Sequence, residues 1–98
     1  MAADIHYEWD PRKARENRRK HGVSFEEAET VFLDEHGLLL DDDESKGEER
    51  FLLLGMSAVM RMLVVCHCER VAGSVLRIIS ARRANKAEQA EYWDKVTR

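Results

Sequence analysis

Arg77 stands inside an otherwise apolar, β-branched-rich run at 75–80, and His67 stands between two cysteines in a second apolar run at 62–68. A guanidinium stays charged, and its planar fork matches phosphate oxygens, so Arg77 suits the stabilisation of negative charge. Histidine titrates near neutral pH and suits proton transfer. Burying an unpaired guanidinium is costly, so Arg77 must meet an acid such as Glu49 or Glu69, reach solvent, or line a pocket. His67 has a bland alternative too, as a packed or hydrogen-bonded strand residue. Arg82 and Arg83 follow where the strand run feeds a helix start, a place that attracts phosphate. Solvated turn residues paired with the acidic middle of the chain would look the same.

Other charged residues carry weaker signals. Arg12, Arg15 and Arg19 recur at helical spacing, as do Lys13, Asn17 and Lys20. Each set is a stripe that could follow a phosphate backbone, receive an acidic partner, or simply face water. Cys66 and Cys68 are two apart on a strand and point the same way, a poor geometry for a bridge. With no second Cys/His cluster to complete a zinc site, neither a disulfide nor a metal is expected. Tyr92 reads as a residue of a helix–sheet boundary, Glu88 as a helix cap, His21 as a helix-end residue, and Trp9 as a core anchor.

Elements must position these groups, and the chain writes most of their boundaries. Asp10-Pro11 opens a helix over 11–20, which Lys20-His21-Gly22 closes. Ser24-Phe25-Glu26-Glu27 has the form of a capping box for a second helix, 25–32. Strands are expected at 38–40, 50–55, 62–68 and 75–80, with a polar acidic loop at 41–48. Short links between the last three favour an antiparallel meander. Asn85-Lys86-Ala87-Glu88 caps a third helix. The expected fold is therefore α+β: two N-terminal helices, a four-stranded antiparallel meander sheet and a C-terminal helix, in one domain spanning 1–98. The apolar strand runs suggest cover by helices on one side and by a partner on the other.

Charge is segregated along the 98 residues. Residues 1–22 carry six Lys/Arg against four acids, and 77–98 carry six against three, whereas 23–76 carry four against twelve. The net charge of −3 argues against promiscuous nucleic-acid binding but leaves two basic ends able to meet phosphate. No run approaches the roughly 20 apolar residues of a membrane span. Met1-Ala2-Ala3-Asp4 has neither a basic start nor an apolar run, so a cytoplasmic location is expected.

The segment from Tyr7-Glu8-Trp9-Asp10-Pro11 to Phe32, Glu49-Arg50-Phe51, and Arg77-Ile78-Ile79-Ser80-Ala81-Arg82-Arg83-Ala84 together resemble the BrnT family of bacterial type II toxins. That family is related in fold to RelE toxins, and the likeness runs from about Tyr7 to Trp93. The resemblance implies an endoribonuclease that needs no metal or other cofactor. It further implies neutralisation by a BrnA-type antitoxin, in a hetero-oligomer whose ribbon-helix-helix part binds operator DNA and represses the operon. Under it, Arg77 and Arg82 stabilise the scissile phosphate and His67 moves a proton. Arg83, Arg19 and Lys20 hold RNA. The chain departs from the family pattern at Met56 and Met60, where related chains carry Arg and Gly; with Met62 these make an apolar patch. The alternative is a non-catalytic RelE-like protein-interaction module. Direct transcriptional binding is disfavoured by the lack of a base-reading helix.

Overall fold

A computed structural model of the chain describes residues 4–40 and 49–97. The acidic segment 41–48, expected as a loop, lies outside the described residues. Asp10 caps the first helix, α1 (Pro11–His21), by accepting from the Arg12 N–H at 2.8 Å. Gly22 closes it with φ +69°, its N–H donating to the Arg18 carbonyl. Ser24 accepts from the Glu27 N–H to start α2 (Phe25–Thr30).

That helix is shorter than its expected 25–32. The Thr30 hydroxyl donates to the Glu27 carbonyl at 2.7 Å, and the Val31 N–H turns to the Ala28 carbonyl instead. Val31–Leu33 is consequently a tighter 3-10 turn.

The meander forms in the expected order from β2 (Leu38–Leu40), β3 (Phe51–Met56), β4 (Met62–Arg70) and β5 (Val75–Arg83), numbered after an earlier strand, β1 (His6–Glu8). β4 and β5 run past their expected ends, so Arg82 and Arg83 lie in the strand and not in the turn after it. β1 is the correction to the expected four-stranded antiparallel sheet. It adds to β5 in parallel, so the described residues form a five-stranded mixed sheet in the order β1-β5-β4-β3-β2. Three residues with one aromatic make no readable strand pattern. Tertiary contact recruits them, with Tyr7 packing 5.4 Å from Phe32.

α1 and α2 cover one face, where Val23, Phe25, Ala28 and Val31 meet Leu63, Val65, Ile78 and Ala81. Trp9 joins this core at 5.8 Å from Phe25. The last helix, α3 (Lys86–Val96), packs on the other face, where Tyr92 meets Leu54, Val64 and Ala84. The second face is thus covered in part by this chain itself, where a partner was expected.

Asn17, expected in a surface stripe facing phosphate, an acidic partner or water, is only 6% exposed. Its side-chain nitrogen donates to the carbonyls of Val23 and Ala81, and its oxygen accepts from the Ala81 N–H. Replacing it with Ala leaves three buried backbone groups without partners. Asn17→Ala should therefore lower unfolding free energy by about 2–3 kcal/mol in urea titration. The turn before β4 offers the opposite change. Met60 sits at φ +64°, which favours glycine, so Met60→Gly should raise stability by about 0.5–1 kcal/mol in the same titration.

Candidate functional site

The geometry of the site turns on one irregularity in β5. Pairing with β4 runs Leu63 to Arg83, Val64 to Arg82, Val65 to Ala81 and Cys66 to Ser80, then jumps so that His67 faces Ile78. Ile79 is the extra residue of a β-bulge. Strict alternation would group Arg77 with Ile79 and Ala81, and Ile78 with Ser80 and Arg82. The bulge regroups them: Leu76, Ile78, Ala81 and Arg83 lie on the α1/α2 side, while Arg77, Ser80 and Arg82 lie on the α3 side. Two of the expected catalytic residues thereby share a face. His67 does not join them.

His67 lies on the α1/α2 side and is 5% exposed. Phe32 stands edge-on to its ring at 4.8 Å, and Phe51 lies 5.7 Å away. Burial pushes its pKa down, opposed by the Val65 carbonyl 3.4 Å from Nδ1 and by Glu69. The ring is therefore held neutral and enclosed, behind the sheet from Arg77.

Arg77 meets an acid, though neither of the two expected. Its Nη1 donates to Glu8 Oε2 at 2.8 Å, and Arg70 Nε stands 3.9 Å from the same oxygen. Glu8 reaches it only because β1 pairs with β5, with Glu8 opposite Arg77.

Arg82 is held more tightly. Its two terminal nitrogens donate to the two Glu88 oxygens at 2.8 and 2.9 Å. Glu88 also accepts from the Asn85 N–H while its own N–H donates to Asn85 Oδ1, completing the capping box of α3. The Arg82 side chain stays 41% exposed, so one side of the guanidinium remains open to a ligand. The pairing holds the Glu88 carboxyl below its ordinary range, against the upward push of burial.

Arg83, Arg19 and Lys20 are exposed, Arg83 on the α1/α2 side of β5 and the other two in the last turn of α1. The basic last turn of α1 is tied there by Asn17 to Ala81, and the Gly22 carbonyl accepts from Arg61 Nη2 at 3.0 Å. Arg61 is the residue that sequence reasoning missed. It pairs with Glu27 through Nε at 2.9 Å and through Nη2, and Ser57 donates to the same carboxylate at 2.7 Å. Glu27 spends its side chain on this contact rather than on the expected reciprocal half of a capping box. Its carboxyl is held below the ordinary range chiefly by the Arg61 hydrogen bond. No spacing in the sequence links Glu27 to Arg61, which belong to different elements.

Between the β3–β4 turn and the start of α3 an open groove of about 330 Å³ is lined by Met60, Arg61, Met62, Arg83, Ala84 and Gln89. The sheet thus presents guanidinium groups along the α3 side of β5 and around the groove at its end. The chain is thus a small α+β domain with a guanidinium-bearing sheet face. The sequence matches, over residues 9–88, the family model for the ribonuclease toxin BrnT of type II toxin–antitoxin systems, and the chain belongs to this family. Its structure is similar to the crystal structure of the Brucella abortus ribonuclease toxin BrnT, with a TM-score of 0.61 and 23% sequence identity. The match covers 87% of this chain and 100% of that one, and at this identity it shows a shared fold. No curated protein matches the sequence.

The enclosed imidazole predicts a pH effect on stability. The unfolded chain takes up the His67 proton first, near pH 6.5. The stability that the neutral ring contributes is complete above that value and falls away as the pH drops towards the lowered folded pKa. Urea midpoints should decline as the pH falls from about 7.5 through about 6.5, and His67→Leu should flatten the decline. Glu27 and Glu88, held low, titrate below that window.

Proposed function

We propose that this chain is a toxin that cleaves RNA without a metal cofactor and is neutralised by a BrnA-type antitoxin. The observation that carries the catalytic part is the bulge at Ile79, which sets Arg77 and Arg82 on one open face of β5. Their positions are roughly 15 Å apart along the strand, so they would engage different phosphates of one RNA strand. In metal-free cleavage the ribose 2′-oxygen gives its proton to water and attacks the adjacent phosphorus. The P–O5′ bond breaks and the 5′-oxygen takes up a proton, leaving a 2′,3′-cyclic phosphate. Arg82 would stabilise the charge that builds on the phosphate oxygens, using donors already aimed by Glu88. Arg77 and Arg70 would hold a neighbouring phosphate, and Arg83, Arg19 and Lys20 the flanking strand.

For His67, neutral and enclosed by Phe32 and Phe51, we propose packing in place of the proton-moving role its residue type suggested. Guanidinium groups are the charge-stabilising chemistry on offer. Among the described residues no three His, Cys, Asp or Glu side chains are grouped as metal ligands.

Membership of a toxin–antitoxin family carries the partner, and the net charge of −3 supports contact with operator DNA mainly through that partner. The BrnA type and the repression of a shared operon are part of this proposal. So is a cytoplasmic location, where RNA is met; no helix among the described residues is long and apolar enough to cross a membrane. One observation favours a second reading. Arg77 and Arg82 are both already engaged by carboxylates, as a non-catalytic interaction module would allow.

The purified native chain should cleave single-stranded RNA in the presence of EDTA. Arg82→Ala should lower the rate by about 10²–10³-fold and Arg77→Ala by less, both still folded by circular dichroism. Full activity in both folded variants would remove this site. No cleavage by the native chain would move the assignment to the interaction module.

A further inference from the structure

We propose that the groove at the end of the sheet is a subsite for a single unstacked nucleobase of the bound RNA. This rests on the RNA reading above and adds a base-binding element to its phosphate contacts.

The lining differs in kind from the arginine row on the α3 face. Met60 and Met62 supply apolar, polarisable wall, and Ala84 supplies a small apolar contact. Met60 is 77% exposed, so its thioether can close over a flat guest. Arg61 and Arg83 stand at the rim, and Arg61 is fixed there by Glu27 and Gly22 rather than swinging in solvent.

Gln89 decides the chemistry. Its Nε2 donates to the Ala84 carbonyl at 3.0 Å. A carbonyl oxygen can only accept, so the orientation of the amide is settled, and Oε1 has no donor among the described residues. The groove thus combines apolar walls, guanidinium donors and one exposed amide acceptor. A bare phosphate offers nothing to that acceptor and gains nothing from methionine walls. A cation is repelled by the two arginines. A nucleobase has two apolar faces and an edge carrying both a donor and acceptors. A volume of about 330 Å³ is within the range of small-molecule sites.

The position is consistent with this use. Arg83 and Ala84 follow Arg82 directly in the chain, and Gln89 follows Glu88, the Arg82 partner.

The test uses a fluorescent single-stranded 8-mer RNA, 2′-O-methylated throughout so that the attacking hydroxyl is blocked, with an abasic residue moved through it one position at a time. Binding is read by anisotropy. For the native chain, one abasic position should weaken binding about 10-fold, in line with the loss of one stacked and hydrogen-bonded base. In Met60→Gly and in Gln89→Leu that penalty should shrink to under about 2-fold, while a fully abasic 8-mer binds all three proteins alike. Met60→Gly also relieves the left-handed turn, so a fold defect would not explain its result. If the intact 8-mer binds the native chain but no abasic position matters, the base subsite is overturned and the RNA reading stands. If the native chain binds neither the 8-mer nor its abasic form, both are overturned.

Discussion

The side chain of Asn17 takes the place of a missing strand. β1 accompanies β5 only from Val75 to Arg77, after which the chain turns away through Asp10 into α1. The backbone N–H and carbonyl of Ala81 would then have no neighbour on that side. Asn17 meets both, and its nitrogen also holds the Val23 carbonyl just past the helix end. One carboxamide therefore satisfies an open stretch of strand and locks α1 against it. It also carries the basic last turn of α1 towards Arg61 and Arg83. Helix packing, strand edge and surface charge all depend on this contact, which is why a polar residue is buried there.

Three arginines follow a common rule. Each is met by a carboxylate from a different element: Arg77 by Glu8 of β1, Arg82 by Glu88 of α3, and Arg61 by Glu27 of α2. Partly exposed ion pairs contribute little to stability, so their physical consequence is orientation. Arg82 and Arg61, each held by two nitrogens on one carboxylate, are restricted in rotamer, so their remaining donors point in a set direction. In the proposed reaction that direction is towards phosphate.

The second face depends on a different hub. Asp34, at the end of the 3-10 turn, accepts from the Tyr92 hydroxyl at 2.6 Å and from the Met56 N–H at 2.8 Å. Burial, together with the adjoining carboxylate, pushes the Tyr92 pKa up to about 12, so the phenol remains a donor. Gly55 lets this turn approach the sheet, since a Cβ there would lie 2.9 Å from Val31 Cγ1. α3 is thereby pinned to β3 and the turn, while Glu88 pins its start to β5. The open part of the face lies alongside it, where Arg77, Ser80 and Arg82 stand.

Local chemistry alone determined the helix starts, the end of α1, the four meander strands and their antiparallel order, because caps, breakers and strand runs act within a few residues. Asp10, Gly22, Ser24 and Asn85 all do what their types and positions require. The resemblance in 7–32 and 77–84 was likewise readable in the chain, and with it the expectation that Arg77 and Arg82 matter. What the sequence could not decide was the face each residue occupies. A single bulge at Ile79 reverses the alternation, putting Arg77 with Arg82 and leaving His67 on the far side. The same limit hid β1, the buried role of Asn17 and the Glu27–Arg61 pair. Each is a contact between residues distant in sequence, chosen by packing rather than by neighbouring side chains, and no local pattern records such a choice.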